Sequence, residues 1–548
     1  MHRLISTILA LLVSTLCFAQ NNREHEWRIA MDFLESRGIS PESLTRRLSM
    51  KTLVAFADIK SRVYAYVVKQ EYEQYLDNPI IAYGIDERWP VSSLYIDNEL
   101  LEKYDSLIVL FKEYRLKYQS PRNSSQGRVE PLLGRIKLGQ GSPYNKYFPV
   151  MQFDGGPKTC IAGCGPVALS EVLAFHRSST PPTGKVTLKT EVGAEYKLDL
   201  STYSFTWDES ADELARLMLC SAASLDATVS PDGSTSGMAI IKPALLRNWH
   251  YSPRCTYKQK DGDLEMISTI NSELNHGRPV LLADNTHMYV CDGYDRDYLH
   301  LNFGWDGYSN GYYRTFVTEI GHSSLLPFKE ILYGIEPMAE SGFLELDVHV
   351  EHAGQLAQKL SREQLYNVTK LRVTGEINGD DIAVIRQMAG ALPYPDNGTG
   401  HGSLMDLDLS GARIVKGGCY VTRSANSMTF SGYTYSGGKK VFYNYDMSKL
   451  KPEQWNRMKS IGLIQKPART IKSIGKGQYV VSWYSLDSTI GQYMFDGCDN
   501  LLRIVLPRNL KEVKENAFFG CISLVNVEGL PQNTSAKAFN NTKIQWQR

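Results

Sequence analysis

Two cysteines, Cys160 and Cys164, stand four positions apart in "TCIAGCGPVALSEVLAFH", residues 159–176. Such a pair can be a metal clip, a disulfide, two inert core residues, or one nucleophile with a bystander. No CxxC pair occurs and no second cysteine or histidine pair sits at zinc-finger spacing, so no metal site is expected. Nine cysteines in 548 residues are too sparse for a disulfide-stapled scaffold. Cys164 has the better setting for chemistry. Gly163 and Gly165 flank it, so backbone can approach closely there. Pro166 suits the first turn of a helix that Val167, Ala168, Leu169, Val172 and Leu173 continue. A helix N-terminus stabilises thiolate through its dipole and free N–H groups. Cys160 lies a turn earlier in a loop. On these residues alone, a buried and inert Cys164 is the alternative.

A thiolate needs a base and a group that orients the base. His287, in "DNTHMYVCDGYD", follows a turn-rich stretch and precedes an apolar strand. Asn302, fifteen residues on in "HLNFGWDG", can accept a bond from an imidazole N–H and hold the ring. Trp305 can shield that pair from water. Gln140, in "GQGSPYN", lies 24 residues before Cys164. Its amide and the Cys164 N–H are candidate donors to a developing oxyanion. The bland readings are an exposed loop glutamine and an ordinary histidine, of which His176, His250 and His300 are further examples.

The elements that must position these groups follow from periodicity. Residues 129–338 run from helical segments ("GPVALSEVLAFH", "DELARLMLCSAASL", "SGMAIIKPALLRNW", "LEMISTINSELN") to alternating strand segments ("RPVLLAD", "HMYVCDGYD", "YLHLNFGW", "GYYRTFV"). Helices first and a sheet later is an α+β pattern. Ahead of it, residues 21–118 carry helical periodicity around "EWRIAMDFLESRG" and "LEKYDSLIVLFKEYRLKY", with strand-like "RVYAYVVKQ" and "PIIAYGID" between. The polar "QSPRNSSQGR", residues 119–128, reads as an exposed, protease-sensitive linker. A leader, a cleavable linker and a catalytic domain make the layout of a zymogen, although any two-domain protein could look the same.

The start of the chain, "MHRLISTILALLVSTLCFAQ", reads as a secretory signal peptide cleaved after Ala19. Its apolar run is shorter than the ~20 residues of a spanning helix; a lipoprotein anchored through Cys17 is the alternative. No later stretch is expected to span a membrane. With 60 basic and 59 acidic residues, the net charge of +1 gives no electrostatic reason to expect nucleic acid as a partner. At the other end, "IGQYMFDGCDNLLRIVLP" and "VKENAFFGCISLVNVEGLP" superpose with a shift of 23 residues, pairing Phe495 with Phe518, Cys498 with Cys521 and Leu501 with Leu524. That period lies in the leucine-rich-repeat range. Cys498 and Cys521 then sit inside as small hydrophobes. "KLRVTGEINGDDI" and "LMDLDLSGARIV" look like irregular earlier copies.

Residues from about 129 to 338 resemble the streptopain family of papain-like cysteine peptidases, peptidase family C10. The resemblance rests on Gln140–Asn145 (the family's "QG.PYN"), on Cys164 opening a helix that ends at His176, on His287 leading into "DGYD" at Asp292–Asp295, and on Asn302–Gly307 ("NFGWDG", where the family has "NWGWGG") and Ser309–Tyr312. The departures are "CGPVA" after the preceding glycine, Thr286 before the base, and Phe303 and Asp306 in place of Trp and Gly. None removes a reacting group. The repeats resemble those of bacterial surface proteins.

The resemblance implies a signal peptide at 1–19, an inhibitory propeptide-like domain at 20–125, a papain-like α+β peptidase domain at 126–338, and a leucine-rich-repeat region at 339–548, clearest at 485–545. It implies a secreted cysteine endopeptidase made as a zymogen, with Cys164, His287, Asn302 and Gln140 catalytic. Ser234, Ser236 and Gly237, in "PDGSTSG", would contact substrate, as would Thr286 and Trp305. The expected partners are protein or peptide substrates, with a host or cell-surface ligand for the repeats and no cofactor. Two rival expectations use the same residues: an inactive papain-fold binding protein, and an acyltransferase or transglutaminase. A Cys160–Cys164 disulfide that holds the enzyme off is a further expectation.

Overall fold

The structure is a computed structural model that describes residues 25–544 apart from 90–98, 116–126, 154, 260–263, 285, 316–318, 321–322, 325–327, 340–343, 392–401, 426–428, 437–438, 447–468 and 476–477. The signal-peptide segment and residues 119–126 of the linker lie outside the described residues. The chain folds as two compact units. One holds residues up to Lys242 together with Cys255–Glu336, and the other Pro243–Arg254 and Pro337–Arg548.

The first unit opens with helix α1, residues 25–36, then strands β1 (Thr45–Ser49), β2 (Leu53–Asp58), β3 (Val63–Val68) and β4 (Ile80–Ile85), and helix α2 (Glu99–Glu113). A short strand β5 (Arg128–Val129) precedes helices α3 (Cys164–His176) and α4 (Ala211–Ser224). Strand β6 (Thr256–Gln259), helix α5 (Leu264–Asn275) and strands β7 (Val280–Ala283), β8 (Met288–Asp295), β9 (Tyr298–Asn302), β10 (Gly311–Arg314) and β11 (Glu330–Tyr333) complete it. The strands form one sheet in the order β1-β2-β3-β4-β10-β9-β8-β7-β11-β6, with β5 beside β8. The α+β pattern is the one expected. Strands β1 and β2 were not foreseen, because "TRRLS" is polar and mostly exposed and "LVAFAD" is a continuous apolar run, neither with alternation.

That run makes sense once both faces of the sheet are covered. Leu53, Ala55 and Ala57 join Tyr64 and Tyr66 in a cluster with Leu100, Tyr104, Leu107, Ile108 and Phe111 of α2. Val54 and Phe56, on the opposite face, pack with Ala30 and Leu34 of α1 and with Tyr83, Tyr298 and Tyr312. Each large side chain of α2 buried this way stabilises the fold by roughly 1.5–3 kcal/mol.

The expected leader and the expected catalytic part therefore share one sheet. The seam is β4 on β10, with Tyr83 opposite Tyr312 and Ala82 opposite Tyr313. Tyr64 Oη donates to the Asn310 carbonyl at 2.5 Å. Arg314, fully buried, is held by Asp77, by the Asn78 carbonyl at 2.6 Å and by Asp297 at 3.1 Å. Glu87 meets Lys137 at 2.8 Å and His300 at 3.4 Å, and His300 Nδ1 meets Asp292 at 2.6 Å. Burial favours the neutral imidazole of His300, but the charge and hydrogen bond of Asp292, with Glu87, overcome it and lift the ring to about 9.

In the second unit, strands β12 (Leu344–Val350), β13 (Val368–Ile377), β14 (Asp406–Ile414), β15 (Arg503–Val505) and β16 (Asn526–Glu528) pair in that order, all parallel. The two irregular copies supply β13 and β14, and the 23-residue pair supplies β15 and β16. Phe495, Phe518 and Phe539 stack with centroids 5.4 and 5.1 Å apart and ring planes 6° and 8° from parallel. Cys498 and Cys521 are fully buried in the same core, as expected of small hydrophobes.

Candidate active site

Cys164 is the first residue of α3, and Gly163 before it adopts φ 85°, ψ 165°. Only glycine populates that region readily. A side chain there would also meet the Ser234 Oγ at 1.6 Å, and one at Gly165 would meet the Ser236 Oγ at 2.2 Å. The glycines thus let the 234–237 segment close over the start of α3. Ser234 Oγ donates to the Ala162 carbonyl at 2.7 Å and fixes that closure.

The Gln140 segment is tied to the same loop. The Ala162 N–H donates to the Gln140 carbonyl at 2.9 Å, and Asn145 Nδ2 donates to the Cys160 carbonyl at 3.0 Å. Cys160 itself is fully buried, and burial raises its thiol above the usual value. Both cysteines are free thiols. From α3, the buried Glu171 accepts the Leu138 N–H at 2.9 Å, which pins the approach to Gln140; burial pushes its carboxyl well above the usual range.

His287 stands immediately before β8 and lines the same cleft as Cys164. Burial opposes the thiolate, but the His287 bond and charge, with the N–H groups of Met288 and Gly165, hold the thiol below its ordinary value. Burial likewise opposes the imidazolium, and the bond and charge of Cys164 raise His287 in spite of it. Opposite shifts of neighbouring groups favour charge separation between a thiol and an imidazole.

The orienting contact differs from the expectation. The His287 Nε2 bonds to the Phe303 carbonyl at 2.8 Å. Asn302 is buried, and its amide is used otherwise: Nδ2 donates to the Ile136 carbonyl at 3.1 Å and Oδ1 accepts the Gly304 N–H at 3.1 Å. Asn302 shapes the turn that presents the Phe303 carbonyl. The Trp305 ring lies over the imidazole at 4.7 Å between centroids, tilted 35°, and the Phe303 ring lies at 6.1 Å, close to parallel.

Sequence reasoning missed Asp284. Its Oδ1 accepts the N–H groups of Thr286 and His287 and the Thr286 hydroxyl, each at 2.9 Å. Its Oδ2 meets Lys103 of α2 at 2.9 Å. Burial works against this carboxylate, yet Lys103 and those N–H groups hold its pKa below the usual range. An Asp three residues ahead of a candidate base, in "DNTH", is the turn signal that marks it.

A cleft of about 560 Å³ runs past the pair, lined among others by Cys164, His287, Ser234, Ser236, Gly237 and Thr286. These are the expected contact residues except Trp305, which lies against the imidazole. Among the described residues there is no cluster of metal-ligating side chains, and no helix is long and apolar enough to cross a membrane.

Residues 138–313 match the Peptidase C10 family. Residues 488–546 match the BspA type leucine-rich-repeat region. Streptopain of Streptococcus pyogenes serotype M28 is 24% identical over a 252-residue alignment, covering 39% of this chain and 62% of streptopain. The thiol protease/hemagglutinin PrtT of Porphyromonas gingivalis is 24% identical over 230 residues, covering 37% of this chain and 26% of PrtT. The chain thus spans less than two thirds of the length of the curated relatives it matches. Among solved structures, a fragment of Prevotella intermedia prointerpain A superposes with a TM-score of 0.46 at 18% identity over 54% of this chain and 99% of the fragment. Active interpain A superposes with a TM-score of 0.34 at 22% identity, covering 40% of this chain and 100% of interpain A.

Proposed function

We propose that this protein is a secreted cysteine endopeptidase made as a zymogen. The observation that carries the reading is Cys164 at the start of α3, lining one cleft with His287, with the thiol lowered and the imidazole raised by their mutual interaction. The C10 match over 138–313 supports it. The Cys164 thiolate attacks the peptide carbonyl, and the His287 imidazolium protonates the leaving amine. His287 then takes a proton from the water that releases the acyl group. The Phe303 carbonyl holds the imidazole through Nε2, with Asn302 keeping that carbonyl in place. Gln140 and the Cys164 N–H donate to the oxyanion. Segment 234–237 and Thr286 bind the substrate backbone, while Trp305 keeps water from the ring.

The zymogen part of the proposal rests on the shared sheet and on Lys103, which reaches Asp284 beside the base. The sequence of the amino terminus supports export. The test is Cys164→Ala in the full chain under reducing conditions. It abolishes hydrolysis of a denatured protein substrate and the appearance of new N-termini near residues 119–130. Continued cleavage by the Cys164→Ala protein defeats the assignment.

A further inference from the structure

The cleft beside the catalytic pair is built across three neighbouring strands, and their register decides which side chains face it. Met288 of β8 lies opposite Ala283 of β7, and Ala283 lies opposite Glu330 of β11. Residues directly opposite one another point to the same face, and all three line the cleft. The row starts at Met288, immediately after the base, and ends on a carboxylate about 10 Å away, two strand spacings at ~4.8 Å each. Between the ends is the smallest side chain of the three, the methyl of Ala283. A space with an apolar wall and floor and an anion at its far end matches a long side chain with a methylene stem and a cationic head.

Two further observations point the same way. Tyr257 donates its hydroxyl to Glu330 Oε2 at 3.0 Å, which fixes the carboxylate's direction and leaves Oε1 for a ligand. The described lining carries the carboxylates Asp226, Asp284 and Glu330 and no lysine or arginine. One of those acids already holds a cationic side chain of this chain: Lys103 sits on Asp284 Oδ2 at 2.9 Å. The rim of the cleft therefore accepts an ammonium group in the form of the protein that keeps α2.

We propose that the cleft selects substrates with a lysine or arginine side chain flanking the scissile bond, and that Glu330 is the residue that reads it. The inference rests on the peptidase reading above and adds the substrate class. It assigns Lys103 a second meaning, as an internal cation on the same acidic rim that leaves with the N-terminal segment.

The experiment uses the full chain after incubation under reducing conditions. Matched peptide sets carry Lys, Arg, Leu or Glu at each position near the cleavage point, and kcat/KM is measured for each. At one position the Lys and Arg peptides are cleaved roughly tenfold faster than the Leu peptide. Glu330→Gln brings that ratio close to one, and Glu330→Lys inverts it in favour of the Glu peptide. Equal Lys and Leu values in the unsubstituted protein, or a basic preference that survives both substitutions, overturn the inference. Failure to cleave any peptide is a different result: it removes the peptidase reading itself, and this inference with it.

Discussion

Gly163→Ala tests the construction of the nucleophile loop. The backbone at Gly163 lies at φ 85°, ψ 165°, a region that costs a non-glycine residue about 1–3 kcal/mol. The added methyl also meets Ser234, at 1.6 Å from Oγ and 2.8 Å from Cβ. Since the Cβ cannot be relieved by a rotamer change alone, the 234–237 segment must move, and overpacking of this kind costs roughly 1–3 kcal/mol more. The sum is about 2–6 kcal/mol, which lowers the melting temperature by about 10 °C. The moved segment lines the cleft, so kcat/KM falls at least tenfold as well. Ser234→Gly in the same chain removes the clash and not the backbone strain. It also loses the bond to the Ala162 carbonyl, worth about 1 kcal/mol. A double-mutant cycle by thermal denaturation and peptide kinetics separates these parts, and the expected coupling is favourable by at least ~1 kcal/mol. If Gly163→Ala alone melts within 1–2 °C of the parent and keeps its rate, the geometric argument for the loop is wrong.

Four more outcomes follow, three from the charges and one from the ring packing. Alkylation of Cys164 by iodoacetamide persists at pH values below the ordinary thiol range, and His287→Ala removes that low-pH reactivity. Peptide hydrolysis rises with pH as the depressed Cys164 thiol ionises and falls as pH passes the raised His287 value. His300, at about 9 in the folded protein against 6.5 for the free side chain, adds stability that is fully present below pH 6.5 and lost as pH rises through about 9. Melting curves of the full chain therefore decline across that window, and His300→Gln flattens the decline. Trp305→Ala, which uncovers one face of the imidazole, lowers kcat about tenfold with a smaller change in KM.

The sequence made some of this legible and concealed the rest for physical reasons. Helix α3 could be read to its residue limits because Pro166, the apolar spacing and the flanking glycines all agree. Cys164 and His287 could be singled out as the proposed pair because residue types constrain it. The contact that orients His287 could not, because a backbone carbonyl carries no residue signature: position 303 offers the same oxygen whether Phe or Trp stands there. Asn302 attracted attention by its type and does its work one residue away. Strand β2 was hidden by the loss of alternation that burial on both faces produces. The seam at Tyr83 and Tyr312 joins residues 229 positions apart in the sequence, and no local pattern announces it.

If maturation removes the first strands, as the zymogen proposal holds, that seam has a further consequence. Strand β10 would become an open margin, with the Tyr312 and Tyr313 backbone no longer matched by Tyr83 and Ala82. Exposed margins of this kind recruit any extended chain that offers hydrogen bonds, including another copy of themselves. Arg314 would at the same moment lose Asp77 and the Asn78 carbonyl. On that proposal, a matured molecule would gain a tendency to self-associate in step with its release, and its concentration would govern how long it stays in solution.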